Sequence, residues 1–413
     1  MMPPVPPIAP APARVLHSLN LDTVGGVEQL FFHLITGCDA NAQQEDHCLV
    51  TGGRVHEYFS GMESRLGSLH YTKFWRAVKI PRRPRVLRDW HRRNLIRRIR
   101  PELAVMWNRF GDGASLADLR AAGCPVLHYE HGAGWLAPDS QGNREFLRGV
   151  AGAICISRAA QRVLQLRWDY RGPTHVVPNA LRPDLAPVDV RPKALPTDRP
   201  LRLGVAARLI PLKGVGVALH TLRELHRRGC PAELHIAGTG PLQPFLMEQT
   251  RRLGLGTAVR FLGVVRDMAQ FYEHVDLLLA PALREPFGLV VIEAAAHGCP
   301  TVCSGVDGLT EAVVAGRTGI CLDPSLDLSH ATDFGGTPGD FPSLVYDPDR
   351  DRLTAPQFLA PEAVASAVWD LLTAPEHYAA MSAAAIRHAR DNFAWPDYAR
   401  RLREVFARIL NGR

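Results

Sequence analysis

Short apolar runs alternate with helix-length amphipathic stretches along almost the whole chain, and the alternation runs twice with a proline-rich break between. That rhythm suits parallel sheets covered on both faces by helices, because each return to the next parallel strand takes a dozen residues or more. The strand candidates of the first half are residues 13–20, 47–52, 102–108, 125–130, 152–157 and 174–179. The pattern restarts at 201–209 and continues through 232–238, 259–263, 276–281, 300–305 and 318–324. The expectation is an α/β chain of two doubly wound parallel-sheet domains, 13–185 and 201–392, facing each other across a cleft. Residues 186–200 would be a proline-rich linker, and 393–413 a C-terminal helix packing back toward the first domain. Residues 325–359, rich in Gly, Pro and Asp, read as an irregular surface insertion. A ligand would lie between the domains, at the strand ends.

Length supports two cores, since 413 residues exceed what one ordinary core organises. With 46% hydrophobic and 22% charged residues the chain reads as a packed, soluble protein. No apolar run approaches the ~18 residues that a membrane-spanning helix needs. The opening MMPPVPPIAPAPA has no basic start and no continuous apolar stretch, so it reads as an extension and not a signal peptide. Eight cysteines without a CxxC pair argue against a zinc ribbon or a secreted disulfide framework, and point to a reducing, cytoplasmic setting. No metal-binding motif is evident.

Charge is concentrated. Residues 82–100, RRPRVLRDWHRRNLIRRIR, hold nine arginines and one aspartate, a local +8 against +7 for the whole chain, so the remainder stands at −1. Their apolar residues fall in two sectors of a helical wheel. Two readings stay open: a partly buried domain helix with snorkelling arginines, or peripheral contact with anionic lipid at the inner face of a membrane. No nucleic-acid motif accompanies the charge.

The stretch EPFGLVVIEAAAHGCP, 285–300, places Glu285 before a Pro-Phe-Gly breaker and Glu293 eight positions later inside a helix. The helix start at Leu289, after Phe287 and Gly288, offers free amide hydrogens and a positive dipole end, a seat for phosphate. Carboxylates on either side of that seat would accept hydrogen bonds from hydroxyls flanking an anion. The geometry suits a nucleotide-diphosphate sugar.

With this pair stand RLIPLKG (208–214), IAGTGPL (236–242), VRFLGVV (259–265), GLTEAVVAGRTG (308–319), VPNALRPD (177–184) and GGVE (25–28). In that order they resemble the retaining glycosyltransferases of family 4, from about Val15 to Leu410. The resemblance implies the GT-B architecture of two Rossmann-like domains. It implies sugar transfer from a nucleotide-diphosphate sugar, UDP or GDP type, to a carbohydrate or lipid-linked glycan in envelope polysaccharide or lipopolysaccharide synthesis, with no metal or other cofactor. Glu285 would bind the donor sugar and Glu293 the ribose. Arg208 and Lys213 would clamp the diphosphate. Gly25 and Gly26 would let a backbone loop approach the phosphates, and Gly238 and Gly240 would permit close passage of the nucleotide. Backbone near Val264 and Val265 would hold the base, and His131 would lie near donor sugar and acceptor.

The sequence departs from the family pattern at Gly132, where His-Asp is usual, at Ala180, where Asn-Gly is usual, and in the length of the insertion after Pro324. Rival readings are a retaining glycosidase using both glutamates, a GT-B phosphorylase or nucleotide-sugar epimerase, and a noncatalytic nucleotide-sugar binder. Glu28 and Glu311 read as carboxylates at helix ends.

Overall fold

The computed structural model describes residues 13–37, 45–187 and 189–412. The expected N-terminal extension, apart from Ala13, and Cys38 lie outside the described residues. The first half contributes β1 (Ala13–Ser18), β2 (Glu45–Thr51), β3 (Ser68–Tyr71), β4 (Phe74–Trp75), β5 (Val78–Lys79), β6 (Leu103–Trp107), β7 (Val126–Glu130), β8 (Gly152–Cys155) and β9 (Thr174–Val176). Its helices are α1 (Gly26–Thr36), α2 (Arg85–Ile99), α3 (Gly113–Ala121), α4 (Ala133–Leu136), α5 (Gln141–Gly149) and α6 (Arg158–Trp168). The second half contributes β10 (Leu201–Ala206), β11 (Ala232–Ala237), β12 (Val259–Gly263), β13 (Leu277–Ala280), β14 (Thr301–Ser304), β15 (Gly319–Leu322), β16 (Val345–Asp347) and β17 (Arg352–Thr354). Its helices are α7 (Val215–Arg227), α8 (Gln243–Arg252), α9 (Met268–His274), α10 (Leu289–Ala296), α11 (Leu309–Ala312), α12 (Pro361–Leu372), α13 (Pro375–Asn392) and α14 (Trp395–Asn411).

Two parallel sheets result, in the orders β3-β2-β1-β6-β7-β8-β9 and β12-β11-β10-β13-β14-β15. Every residue of β6 and β7 is buried, as a strand covered on both faces must be; β6 is apolar throughout, and β7 buries His128 and Glu130 as a bonded pair. Strand order reverses at β1/β6 and at β10/β13, so the loops after β1 and β10 open into crevices at the strand ends. Those loops carry Gly25 and Arg208.

The apolar interior is continuous between the halves. Leu103 and Val105 of the first sheet belong to one cluster with Phe287, Val291 and Ile292 of the second domain and with Leu402 and Phe406 of α14. The α14 helix lies on the first sheet, where the Tyr129 and Tyr398 hydroxyls are 3.2 Å apart. Residues 186–200 are fastened to the second domain. Lys193 Nζ donates to the carbonyls of Tyr272, Glu273 and Val275 at the end of α9, and Arg199 grips Asp276 with two bonds of 2.7 Å.

One expectation needs correction, and two features were not foreseen. The segment 325–359 is not irregular surface: it forms the β16–β17 hairpin and buries Phe334, Val345, Tyr346, Phe358 and Leu359. Its hydrophobic residues are too sparse to show a period, but each finds a place beside an existing core. Edge strand β3 was unforeseen because its four residues are all half-buried and give no apolar run. In α2 the two apolar sectors part company: His91, Leu95, Ile96 and Ile99 are buried while Val86, Leu87 and Trp90 face solvent. Among the described residues no helix is long and apolar enough to cross a membrane.

Candidate active site

The loop between β13 and α10 is pinned around Glu285. Gly288 adopts φ +101° as the cap of α10, a region that favours glycine. Asp307 Oδ2 accepts from the Glu285 amide at 3.1 Å, the Glu285 carbonyl accepts from Gly308 at 3.0 Å, and Ser157 Oγ donates to the Pro286 carbonyl at 2.6 Å. The Glu285 carboxylate so placed receives Lys213 Nζ at 2.5 Å. Lys213 ends a short turn whose next residue, Gly214, has φ +62° and no room for a side chain against the Pro281 carbonyl. Sequence-distant partners, 72 residues apart, are thereby held as one ion pair.

Arg208, after β10, is exposed, and its guanidinium has no ion-pair partner among the described residues. Gly238 and Gly240 act on that loop directly. A Cβ at either would overlap the carbonyl of Ala207 or Leu209, and the Leu209 amide donates to the Thr239 carbonyl at 2.9 Å. The close passage these glycines allow within the protein is between two loops.

Across the crevice, Gly25 caps α1 in extended conformation, and a Cβ on Gly26 would stand 3.0 Å from Leu289 Cδ1. The N-termini of α1 and α10 therefore meet, two positive dipole ends facing one space. A Cβ at Gly25 would also meet Glu28 Oε2 at 2.6 Å, because Glu28 folds back over the α1 start; burial raises its pKa.

Glu293, expected at the ribose, is buried among protein partners. It is 5% exposed, Tyr272 donates to its Oε2 at 2.8 Å, and Arg182 Nε lies 3.5 Å from Oε1. Burial raises its pKa, with Arg182 and Tyr272 opposing the shift. Oε2 is hydrogen-bonded, and Oε1 has an ion-pair contact. Arg182 stands in the VPNALRPD turn beside Ala180, and it also pairs with Asp184 at 3.7 Å, which His33 of α1 approaches at 3.3 Å. Phe287 likewise turns inward, with its ring against Phe393, so only its backbone is available. Val264 is 75% exposed beyond the edge strand β12, and Val265 packs partly into the core.

On the first domain, His131 follows β7 and stacks on Trp107 with centroids 5.5 Å apart and planes 14° apart. Its Nε2 is sealed from solvent and has no hydrogen-bond partner among the described residues. Burial lowers its pKa to about 3, so the ring is neutral. The preceding Glu130 anchors the loop, accepting from the amides of Gly132 and Gly134 at 2.5 and 3.0 Å and from His128 Nε2 at 2.9 Å. Burial pushes its carboxyl up, but those bonds outweigh burial and hold it below its ordinary value.

Gly132, where the family pattern has aspartate, has φ +116°, and a Cβ there would overlap the Arg284 guanidinium and sit 2.6 Å from Pro286 Cγ. Arg284 donates to the Gly132 carbonyl and lies over Trp135 at 5.3 Å. Trp135 Nε1 in turn donates to Asp307 Oδ1 at 2.8 Å, and the same oxygen accepts from the Tyr346 amide of the insertion at 2.7 Å. Burial raises Asp307 to about 7, and Arg284 is among the groups pulling it back.

Sequence reasoning missed this ring of Glu130, Trp135, Arg284 and Asp307; only the Asp-Gly turn at 307–308 was there to be read. It also placed Glu311 at a helix end without seeing that the helix is α6 of the other domain, where the carboxylate accepts from Arg158 and Ala159 at 2.8 Å each. Among the described residues no group of three or more His, Cys, Asp or Glu side chains could hold a metal ion.

Comparison with known proteins agrees with this construction. Residues 200–332 match the family described as Glycosyl transferases group 1, and residues 24–185 match Glycosyltransferase Family 4. A glycogen synthase of Mycobacterium tuberculosis is 38% identical over 131 residues, 31% of this chain and 32% of the relative. D-inositol 3-phosphate glycosyltransferase 2 of Catenulispora acidiphila is 31% identical over 227 residues, 52% of this chain and 45% of the relative. The chain thus spans less than half the length of these curated relatives. Among solved structures, Anabaena HepE in complex with UDP and glucose superposes with a TM-score of 0.69 at 17% identity, covering 96% of this chain and 99% of HepE. The chain thus joins a Glycosyltransferase Family 4 domain, residues 24–185, to a Glycosyl transferases group 1 domain, residues 200–332, in one GT-B fold.

Proposed function

We propose that the chain transfers a sugar from a nucleotide-diphosphate sugar, held between the domains, to an acceptor hydroxyl, with retention of anomeric configuration. The observation that carries this reading is the convergence of Arg208, the Lys213–Glu285 pair and the starts of α1 and α10 on one crevice. Charge builds on the departing diphosphate as its bond to the anomeric carbon breaks. Preorganised cations and amides stabilise that charge without reorganising at the moment of reaction. In the resting arrangement Lys213 is neutralised by Glu285. A diphosphate would compete for the ammonium and release the carboxylate to accept from sugar hydroxyls. No metal is required by this scheme, since the cationic side chains supply the counter-charge.

His131, neutral across the working range and stacked on Trp107, brings no competing charge to the sugar side of the crevice. Burial of Glu293 between Tyr272 and Arg182 disfavours the glycosidase reading, which needs two free carboxyl groups across one bond. The finer reading takes UDP-glucose as the first donor to try, in line with the HepE complex, and an envelope glycan as acceptor.

The test is release of nucleoside diphosphate from a panel of UDP, GDP and ADP sugars with sugar and lipid-linked acceptors, with product stereochemistry read by NMR. Binding of a sugar nucleotide without transfer to any acceptor would favour a noncatalytic binder. Phosphate-dependent breakdown of a glycan would favour a phosphorylase.

A further inference from the structure

The structure brings the exposed part of the arginine-rich helix beside a second element that the sequence did not mark. The β4–β5 hairpin holds Trp75 and Val78 in solvent, 59% and 71% exposed, and the first turns of α2 hold Val86 and Trp90, 71% and 51% exposed. Trp75 and Trp90 touch, with ring centroids 6.0 Å apart, so hairpin and helix form one platform. Two anchors fix it: Ile80 donates to the Lys73 carbonyl at 2.9 Å, and Arg88 donates through Nε and Nη2 to the Ile80 carbonyl.

Charge surrounds these apolar groups. Residues 72–88 contain seven Lys and Arg and no Asp or Glu. Arg92 and Arg93, further along α2, are spent on Asp118, whereas Arg76, Lys79, Arg82, Arg83 and Arg85 are exposed with no ion pair among the described residues. Five unneutralised cations around paired tryptophans are a poor surface for water alone.

The position follows from topology. Helix α2 runs antiparallel to the strands it connects: its last turn lies at their N-terminal ends, where Arg14 donates to the Ile99 carbonyl at 2.7 Å. Its start, with the hairpin, lies by the C-terminal end of β3, where His91 Nε2 meets the Tyr71 carbonyl at 3.0 Å. The platform is therefore on the crevice side of the first sheet.

We propose that this platform docks on an anionic lipid surface, with Trp75, Val78, Val86 and Trp90 entering the headgroup boundary and the surrounding cations facing acidic headgroups. Charge complementarity selects this occupant: a second copy of the chain would bring the same uncompensated cations to the contact. Docking here turns the mouth of the crevice toward the bilayer, as a lipid-borne acceptor would require. The inference rests on the surface and not on the assigned chemistry.

The test is co-sedimentation of the full chain with phosphatidylcholine vesicles, with and without phosphatidylglycerol, at low and high salt. Binding is expected only with phosphatidylglycerol, and at least about tenfold weaker at high salt. Two variants separate the contributions. Trp75→Ser with Trp90→Ser should weaken binding about tenfold and lose the blue shift of tryptophan emission on vesicle addition. Arg82→Ser, Arg83→Ser and Arg85→Ser together should abolish the preference for phosphatidylglycerol. All these side chains are exposed, so unchanged thermal midpoints are expected and would certify the fold. Equal binding to both vesicle types, no binding at low salt, or wild-type binding by both variants overturns the proposal. A concentration-dependent dimer dispersed by the tryptophan variant would give the surface to a second copy instead and overturn it as well.

Discussion

The loop after β13 and the loop after β7 face one another, and they treat charge in opposite ways. On the second domain Lys213 and Glu285 form an ion pair partly reachable by solvent, and Arg208 is exposed. On the first, His131 is held neutral, Glu130 is taken up by His128 and the loop amides of Gly132 and Gly134, and Trp107 and Tyr129 pack against the imidazole. In the proposed reaction one side would meet the diphosphate and the other would hold the sugar without competing charge. The difference teaches that the crevice is a divided site, with charge management assigned to one domain.

The largest effect should come from the charged side. Arg208→Ala and Lys213→Ala are each expected to lower kcat about a hundredfold, ~3 kcal/mol of transition-state stabilisation. Arg208 is exposed and unpaired among the described residues, so its removal should leave the thermal midpoint unchanged. Steady-state kinetics with the best donor, beside a melting curve, checks both statements. A Lys213→Ala enzyme with unchanged kcat and raised KM would mean that the cation binds ground state and transition state alike, and the division of labour would fail.

That the charged side was the more legible follows from how it is made. Its signals are local: a breaker before a helix, a glycine at the cap, a lysine before Gly214. The neutral side is assembled from distant pieces. Trp135 and Asp307 are 172 residues apart, and nothing around either announces the other. Gly132 looked like a loss of the usual aspartate. The structure gives it a reason, since Arg284 and Pro286 occupy the space a side chain would take. The fold was readable from alternation because buried parallel strands are mostly apolar. Edge strand β3 and the β16–β17 hairpin escaped because short, half-covered strands carry no such mark.

Restoring the family's usual residue sharpens the contrast further. Gly132→Asp should destabilise the protein by ~2 kcal/mol, because its backbone angle is strained for any side chain and its Cβ would collide with Arg284 and Pro286. Gly132→Ala should cost nearly as much, measured by denaturant unfolding. If alanine is costly and aspartate is tolerated, attraction between the introduced carboxylate and Arg284 outweighs the strain, and the neutral side has been kept neutral by choice of residue and not by lack of space.

Two buried groups of the neutral side carry opposite pH dependences. His131 falls from 6.5 to about 3 on folding, so its contribution is complete above about 6.5 and is lost as pH drops toward 3. Asp307 rises from 3.8 to about 7, so its contribution is complete below 3.8 and is lost as pH rises through about 7. Between those limits the two oppose. Asp307→Asn removes the second arm, so its midpoint should climb more steeply with pH than that of the parent over this window. Parallel curves for parent and variant would mean that Asp307 does not titrate on folding.

The smallest effect is expected where the insertion reaches across to the first domain. Arg162 of α6 holds Asp351 through two bonds of 2.7 and 2.8 Å, and Tyr346 donates to the same carboxylate at 2.8 Å. Both charged side chains are substantially exposed, at 31% and 57%, so solvent and salt screen them and the pair should contribute under about 1 kcal/mol. A double-mutant cycle of Arg162→Ala and Asp351→Ala, read by unfolding at low and high salt, measures the coupling directly. The buried part of the same contact is different in kind: the Tyr346 amide on Asp307 stays when the ion pair goes. A coupling near zero with unchanged kinetics would leave the domains joined there through Asp307, Trp135 and Arg284. A coupling well above about 1 kcal/mol, or a loss of turnover in either variant, would make the hairpin a clamp on the crevice and extend the charged half of the site onto the insertion.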